Sequence, residues 1–168
     1  EVAWVFEDGR SEAHLIRPAP SWTDWDDEAE AIHHISRSEL LSAGEPHDAV
    51  ARRMVEELVA HDLLASAPSW DGKWLSVLLR ASGLDRRALR LRDTDDAIDE
   101  VARAILSPSV PPELLDATVE NLVTLVEVRA AGKVPAHRAL ADAEEEHQRW
   151  LSVRDAALKF VEENSRGR

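Results

Sequence analysis

Apolar residues at helical spacing near the C-terminus predict one long amphipathic helix. They comprise Leu140, Ala143, Trp150, Val153, Ala157 and Phe160. Pro135 fixes a backbone angle that suits a first helical turn, so we predict a helix from about residue 136 to about residue 163. We expect the rest of the fold to be arranged around this helix.

Two side chains that could bind a metal ion or transfer a proton lie at the start of this helix. His137 and Asp142 are separated by about 140° around a helix, so we do not expect them to ligate one ion side by side. A carboxylate on a helix can hold a metal ion, and a histidine at the helix entry can take a proton from metal-bound water. The alternative is a surface histidine beside an exposed aspartate without a chemical role.

The first half of the chain begins with strand signals. Two short apolar runs, 1–6 and 13–16, flank the turn signal Asp8-Gly9 and predict a β-hairpin. We expect residues 17–46 to be irregular, and a connection of that length is a candidate functional loop. An apolar face over 48–60 predicts a helix, and 62–66 predicts a short buried strand.

The next predicted helix has an aspartate in its first turn. Trp74, Leu75, Leu78 and Leu79 form its expected buried stripe, and Asp71 falls on the same face. A buried carboxylate needs a partner, which the helix N-terminus and a divalent cation would supply. The alternative is that Asp71 caps the helix. We predict a last strand at 88–91 and further helices at 95–106 and 112–130, with Gly132 ending the latter.

Composition restricts the class of protein. The chain of 168 residues is of ordinary single-domain size, so we expect one domain over residues 1–168. The absence of cysteine excludes disulfides and thiolate zinc sites and favours an intracellular, cytoplasmic location. No apolar run is long enough to span a membrane. A net charge of -13 argues against binding of nucleic-acid backbones over a large surface. We therefore expect any nucleic acid to be bound over a small surface, through a bound metal ion.

Four short motifs resemble those of the DEDDh 3′–5′ exonuclease family, and the predicted strands and helices follow one another in the order found in that family. Residues 31–36 are similar to its Ile-His-Gly-Ile-Ser/Thr signature, with His34 in place of glycine, and residues 41–46 resemble the segment that follows. Residues 69–75 resemble its second acidic motif, and residues 137–143 match its third almost residue for residue. The resemblance runs from the hairpin to about residue 150.

The resemblance implies an α/β fold, with a ribonuclease H-like mixed sheet flanked by helices. It implies hydrolysis of phosphodiester bonds at the 3′ end of single-stranded DNA or RNA, with two Mg²⁺ or Mn²⁺ ions. Asp71 and Asp142 would be metal ligands and His137 the general base. The oligomeric state is not determined by the sequence, and a homodimer is one alternative.

Three other residues are candidate substrate contacts. Trp22 and Trp25 could stack on terminal bases, although we favour the alternative that they pack over the hairpin. His33 is a further candidate contact, and for it we favour a structural role over metal binding.

The family's first motif, Asp-x-Glu on a central strand, has no counterpart in this sequence. We expect a further segment of roughly 10 to 20 residues before Glu1 that supplies this strand. Two alternatives stay open. One is a catalytically inactive nuclease-like domain that serves as a binding or scaffold module. The other is an all-helical acidic protein that binds a partner, and it requires that the hairpin not exist.

Overall fold

The protein has a mixed α/β architecture in the computed structural model, which describes residues 1–130 and 136–166. Residue contacts divide the chain into two compact units. Unit 1 comprises Glu1–Arg92 and Pro135–Glu144, and unit 2 comprises Asp93–Val134 and Glu145–Arg168. The α/β class is confirmed, whereas the expectation of a single domain stays a prediction.

The predicted hairpin is confirmed. Strands β1 (Val2–Val5) and β2 (Ser11–His14) pair antiparallel, with Val2 opposite His14. The turn is possible because Gly9 adopts a φ of 87°, a left-handed conformation that costs glycine little. The hairpin excludes the all-helical alternative.

The expectation that residues 17–46 are irregular is wrong. This part of the chain forms β3 (Ile16–Arg17), α1 (Asp27–His33), α2 (Arg37–Ala43) and β4 (Glu45–Pro46), and β3 pairs parallel with β4. Side-chain caps define both helices: Asp26 accepts the backbone N–H groups of Glu28 and Ala29, and Ser36 accepts that of Glu39. Neither helix has a fully buried residue, which is why no apolar stripe predicted them.

The rest of unit 1 largely follows the sequence pattern. It consists of α3 (His47–Leu58), β5 (Leu63–Ala65), α4 (Pro68–Ala81) and β6 (Leu91–Asp93), with β5 paired to β6. The predicted helix over 48–60 and the strand over 62–66 are confirmed, but the strand is not buried, because Leu64 is 38% exposed. The last strand lies later than predicted, since a turn in which the Ala88 N–H donates to the Asp85 carbonyl precedes it.

The core of unit 1 joins the hairpin to α3 and α4. Its buried members are Trp4, Val50, Ala51, Met54, Leu58, Leu78, Leu79 and Leu89. Within the described ranges, the strands form three separate two-stranded sheets, so the hairpin is not hydrogen-bonded to β5 or β6.

The helices predicted for the last part of the chain are confirmed. They are α5 (Thr94–Leu106), α6 (Pro112–Ala130) and α7 (Ala139–Arg166). The hydrophobic core cluster of unit 2 contains the buried residues Ile98, Ala102, Leu106, Val110, Val119, Leu122, Val126, Val153 and Ala157. Among the described helices, none is long and apolar enough to cross a lipid bilayer.

The start of α7 differs from its prediction. It begins at Ala139 rather than at about residue 136, because His137 has a φ of 52° and a left-handed residue cannot belong to a right-handed helix. Pro135 and Gly132, which we used to predict this boundary, lie outside the described residues.

Candidate functional site

The segment that holds His137 and Asp142 is anchored to the start of β1. The Glu1 carboxylate accepts hydrogen bonds from Arg138 Nε at 3.1 Å, Arg138 Nη2 at 2.9 Å and the Ala139 backbone N–H at 2.9 Å. Arg138 is the main reason that the pKa of Glu1 lies below its ordinary value, and the Ala139 N–H adds to this effect. A carboxylate thus binds an otherwise unpaired donor at the N-terminus of α7.

His137 and Asp142 lie on either side of this anchor. His137 is exposed and precedes α7, whereas Asp142 is half-buried in the first turn of that helix. The Asp142 backbone N–H donates to the Arg138 carbonyl at 3.0 Å, which places the aspartate in regular helix. The histidine therefore lies in an irregular segment and the aspartate in a helix.

Asp71 lies in the first turn of α4 but not on its buried face. The buried residues of α4 are Leu78 and Leu79, while Asp71 is exposed, so the predicted placement on the buried stripe is wrong. Enough protein surrounds the carboxyl group that desolvation raises the pKa of Asp71. The Ala67 backbone, at the N-cap of α4, lowers this pKa to a smaller extent. Within the described residues no side-chain hydrogen bond caps α4, so the capping alternative stays a prediction.

The two aspartates have the chemistry of ligands for a hard cation. Within the described ranges neither forms an ion pair, in a chain where Asp48, Asp62, Asp95 and Asp116 each pair with an arginine. Free carboxylate oxygens suit Mg²⁺ or Mn²⁺. Among residues 1–130 and 136–166, no group of three or more His, Asp or Glu side chains is placed to hold a metal ion. The two carboxylates therefore fit such an ion in kind.

The indoles of Trp22 and Trp25 contact their own chain. Trp22 is half-buried against the core of unit 1, and its ring centroid lies 5.8 Å from that of His47. Trp25 Nε1 donates to Glu30 at 2.6 Å, and the Arg37 guanidinium lies 5.8 Å from its ring centroid. The packing of Trp22 supports the alternative of packing over the hairpin, because that core includes Trp4. Trp25 contacts α1 and α2 instead, so its packing over the hairpin stays a prediction, as does base stacking by either residue.

His33 also has an intramolecular role. Its Nδ1 accepts the Ile35 backbone N–H at 3.0 Å, which requires that nitrogen to be unprotonated. This bond lies directly after α1, where His34 adopts a φ of 58° as the C-cap. The structural interpretation of His33 is supported, and its contact with substrate stays a prediction.

Two exposed tryptophans were missed by the sequence analysis. Trp70 is 61% exposed and Trp74 is 51% exposed, so the expectation that Trp74 belongs to the buried stripe is wrong. Their rings pack edge to face at 5.8 Å, with Lys73 Nζ 5.1 Å from the Trp70 centroid and 4.7 Å from that of Trp74. The spacing i, i+3, i+4 was the available signal. We call Trp70, Lys73 and Trp74 the aromatic platform.

A basic segment after α4 was also missed. Arg86, Arg87 and Arg90 are exposed, and across the described part of the chain their side chains form no ion pair. Three unpaired cations so close together are notable in a chain with a net charge of -13. We call these three residues the arginine segment.

Comparisons with protein-family models, curated proteins and solved structures found no match to this chain.

Proposed function

We propose that this chain is a metal-dependent 3′–5′ exonuclease domain that acts on single-stranded nucleic acid. One observation supports this proposal above the others. The segment with His137 and Asp142 belongs to the same compact unit as Asp71, although residues 93–134 between them belong to the other unit. Residues from two motifs that are distant in sequence therefore belong to one unit, which is compatible with the resemblance to the DEDDh family.

The three residues have complementary roles in this proposal. Asp71 and Asp142 would hold Mg²⁺ or Mn²⁺ through carboxylate oxygens on the first turns of α4 and α7. The bound ions would supply Lewis-acid stabilisation of charge on the scissile phosphate. His137 is exposed in the irregular segment before α7, where its imidazole would be accessible to take a proton from an attacking water.

The fold that we propose for unit 1 is the ribonuclease H-like sheet. His34 supports it, because the resembled signature has glycine at this position and His34 adopts the left-handed conformation that glycine favours. The separate β1–β2 and β5–β6 sheets are compatible with a central strand between them.

Local positive charge supports a nucleic-acid substrate on an otherwise acidic chain. The arginine segment can neutralise backbone phosphates without competition from ion pairs within the described residues. Binding would then depend on a small surface, as the net charge of -13 requires.

The second candidate is a nuclease-like binding module without catalysis. It is favoured by the arginine segment, because exposed cations without ion pairs in the described residues can bind phosphates without a metal ion.

The test is a cleavage assay with the full chain and 5′-labelled single-stranded DNA and RNA. We expect a ladder of products shortened from the 3′ end with Mg²⁺ and no cleavage in EDTA. Asp71→Asn and Asp142→Asn should each abolish the ladder and keep the fold, because each removes charge without changing volume. Asp24→Asn, at an exposed position outside the site, is the control.

The absence of Mg²⁺-dependent shortening by the wild-type chain would contradict the proposal. So would wild-type cleavage by either site variant. Binding of the oligonucleotide without cleavage would instead favour the binding module.

A further inference from the structure

The aromatic platform exposes a large apolar surface that the fold does not need. Trp70 and Trp74 are 61% and 51% exposed, while the core of unit 1 is formed by other residues of α4, among them Leu78 and Leu79. Burying an aromatic side chain is favourable by roughly 1.5 to 3 kcal/mol, so a pair of indoles left in water is informative. Exposed aromatic groups of this kind are characteristic of binding surfaces.

The platform is ordered by contacts among its own members. The edge-to-face packing of the two rings fixes one indole against the other, and the Lys73 ammonium lies within 5.1 Å of both ring centroids. Lys73 is exposed and has no carboxylate partner within the described ranges, so its charge is available to a ligand. The result is an apolar stacking surface with a fixed positive charge.

The charge around the platform favours an anionic ligand. Helix α4 contains one acidic residue, Asp71, and two basic residues, Lys73 and Arg80, in a chain whose net charge is -13. The platform occupies the first two turns of this helix, at the positive end of the helix dipole. A ligand that combines flat rings with negative charge matches both properties.

We propose that the aromatic platform binds unstacked bases of single-stranded nucleic acid while Lys73 contacts an adjacent phosphate. Indoles stack on any base, so this contact does not depend on sequence, and it requires a strand whose bases are not paired. Asp71 lies between Trp70 and Lys73 in the chain, so bases held here are beside the proposed metal ligand. The inference therefore rests on the proposed function and adds to it the surface that would bind the bases of the substrate.

The test measures binding of a fluorescently labelled single-stranded oligonucleotide to the full chain in EDTA, where no cleavage occurs. Trp70→Ala and Trp74→Ala should each weaken binding by about 5-fold to 150-fold, the loss expected for one stacked base. An oligonucleotide of abasic sites keeps the phosphates and lacks the bases. It should bind the wild-type chain and both variants with equal, weak affinity.

Two matched variants separate stacking from general effects. Val59→Ala, at an apolar position that is 60% exposed in the same unit, should leave binding unchanged. Lys73→Gln should lower the slope of log affinity against log salt by about 0.7, whereas Lys159→Gln, at an exposed site in unit 2, should not. Circular dichroism of each variant establishes that it is folded.

Unchanged affinity for the intact oligonucleotide in both tryptophan variants would overturn the inference. Wild-type cleavage combined with that result would leave the proposed function standing. If the variants lose binding and the wild-type chain does not cleave, the inference stands and the proposed function is contradicted. The platform would then belong to a binding module. A wild-type dimer that becomes monomeric in Trp70→Ala, without oligonucleotide binding, would assign the platform to a contact between copies and contradict the inference.

Discussion

Among the glycines of the described residues, Gly44 is the one where an added methyl group meets backbone atoms. It links α2 to β4, where its N–H donates to the Leu40 carbonyl at 3.1 Å. A Cβ at this position would lie 2.3 Å from the Leu40 oxygen and 2.6 Å from the Arg17 nitrogen. Both are backbone atoms, and Arg17 is paired in β3, so no side-chain rotation can relieve the overlap.

The expected cost of Gly44→Ala can be estimated from opposing effects. Overpacking of this kind costs about 1 to 3 kcal/mol, and contacts with backbone place it at the upper end. The φ of Gly44 is -67°, which alanine adopts readily, so the less flexible unfolded chain returns about 0.4 to 1 kcal/mol. We therefore expect a net loss of about 2 kcal/mol, or roughly 4 to 8 °C in Tm for a chain of this size.

Urea unfolding followed by tryptophan fluorescence measures this loss in the free energy of unfolding in the unit that contains Gly44. Five of the six tryptophans lie in unit 1, so the signal reports mainly on the unit that contains Gly44. Gly72→Ala is the matched control, because a Cβ there meets nothing within 4 Å and the position is inside α4. That variant should be stabilised by about 0.5 to 1 kcal/mol. If Gly44→Ala is as stable as the wild type, the close approach described here is wrong.

Four further predictions concern single sites or a single segment. His34→Gly should raise Tm by a few degrees, because it removes a left-handed strain of about 1 kcal/mol, and His34→Ala, which keeps the strain, should not. Burial raises the pKa of Glu146, so folding favours its protonated form; that stabilisation is present below the ordinary glutamate pKa and is lost as the pH rises through the raised value. Glu146→Gln should therefore raise Tm at pH 7 by an amount that shrinks towards pH 4, with Glu144→Gln, at an exposed position, as the control. His137→Ala should lower kcat by roughly a hundredfold to ten-thousandfold without weakening oligonucleotide binding in EDTA, and an unchanged kcat with a raised KM would make His137 a substrate contact. Changing Arg86, Arg87 and Arg90 together to glutamine should reduce the salt slope of single-strand binding by about 2, and an unchanged slope would exclude them from the phosphate path.

Elements that bury an apolar stripe could be predicted from the sequence. The period of Val50, Met54 and Leu58 identified α3, and the Asp8-Gly9 turn identified the hairpin. Helices α1 and α2 could not be found in this way, because caps rather than a buried face define them. Their cap residues, Asp26 and Ser36, were visible in the sequence and would have been the better signal.

The candidate site was only partly accessible from the sequence. The helical periodicity correctly placed Asp71 and Trp74 on the same helix as Leu78. The angle between two residues around a helix, however, does not determine where the buried face of that helix ends. That limit depends on which elements cover α4, and both Asp71 and Trp74 fall on its exposed side. The left-handed conformation of His137 likewise depends on its tertiary surroundings, which the neighbouring alanines do not indicate.

The discontinuity of unit 1 has a consequence for synthesis on the ribosome. Its last segment, Pro135–Glu144, is made only after residues 93–134 of unit 2. At about 5 to 20 residues per second, those roughly forty residues delay the segment by about 2 to 8 seconds. During that interval the nascent chain already contains Asp71 but neither His137 nor Asp142. A growing polypeptide that stays beside messenger RNA would therefore lack two of the three residues of the proposed site until nearly all of this sequence has been translated.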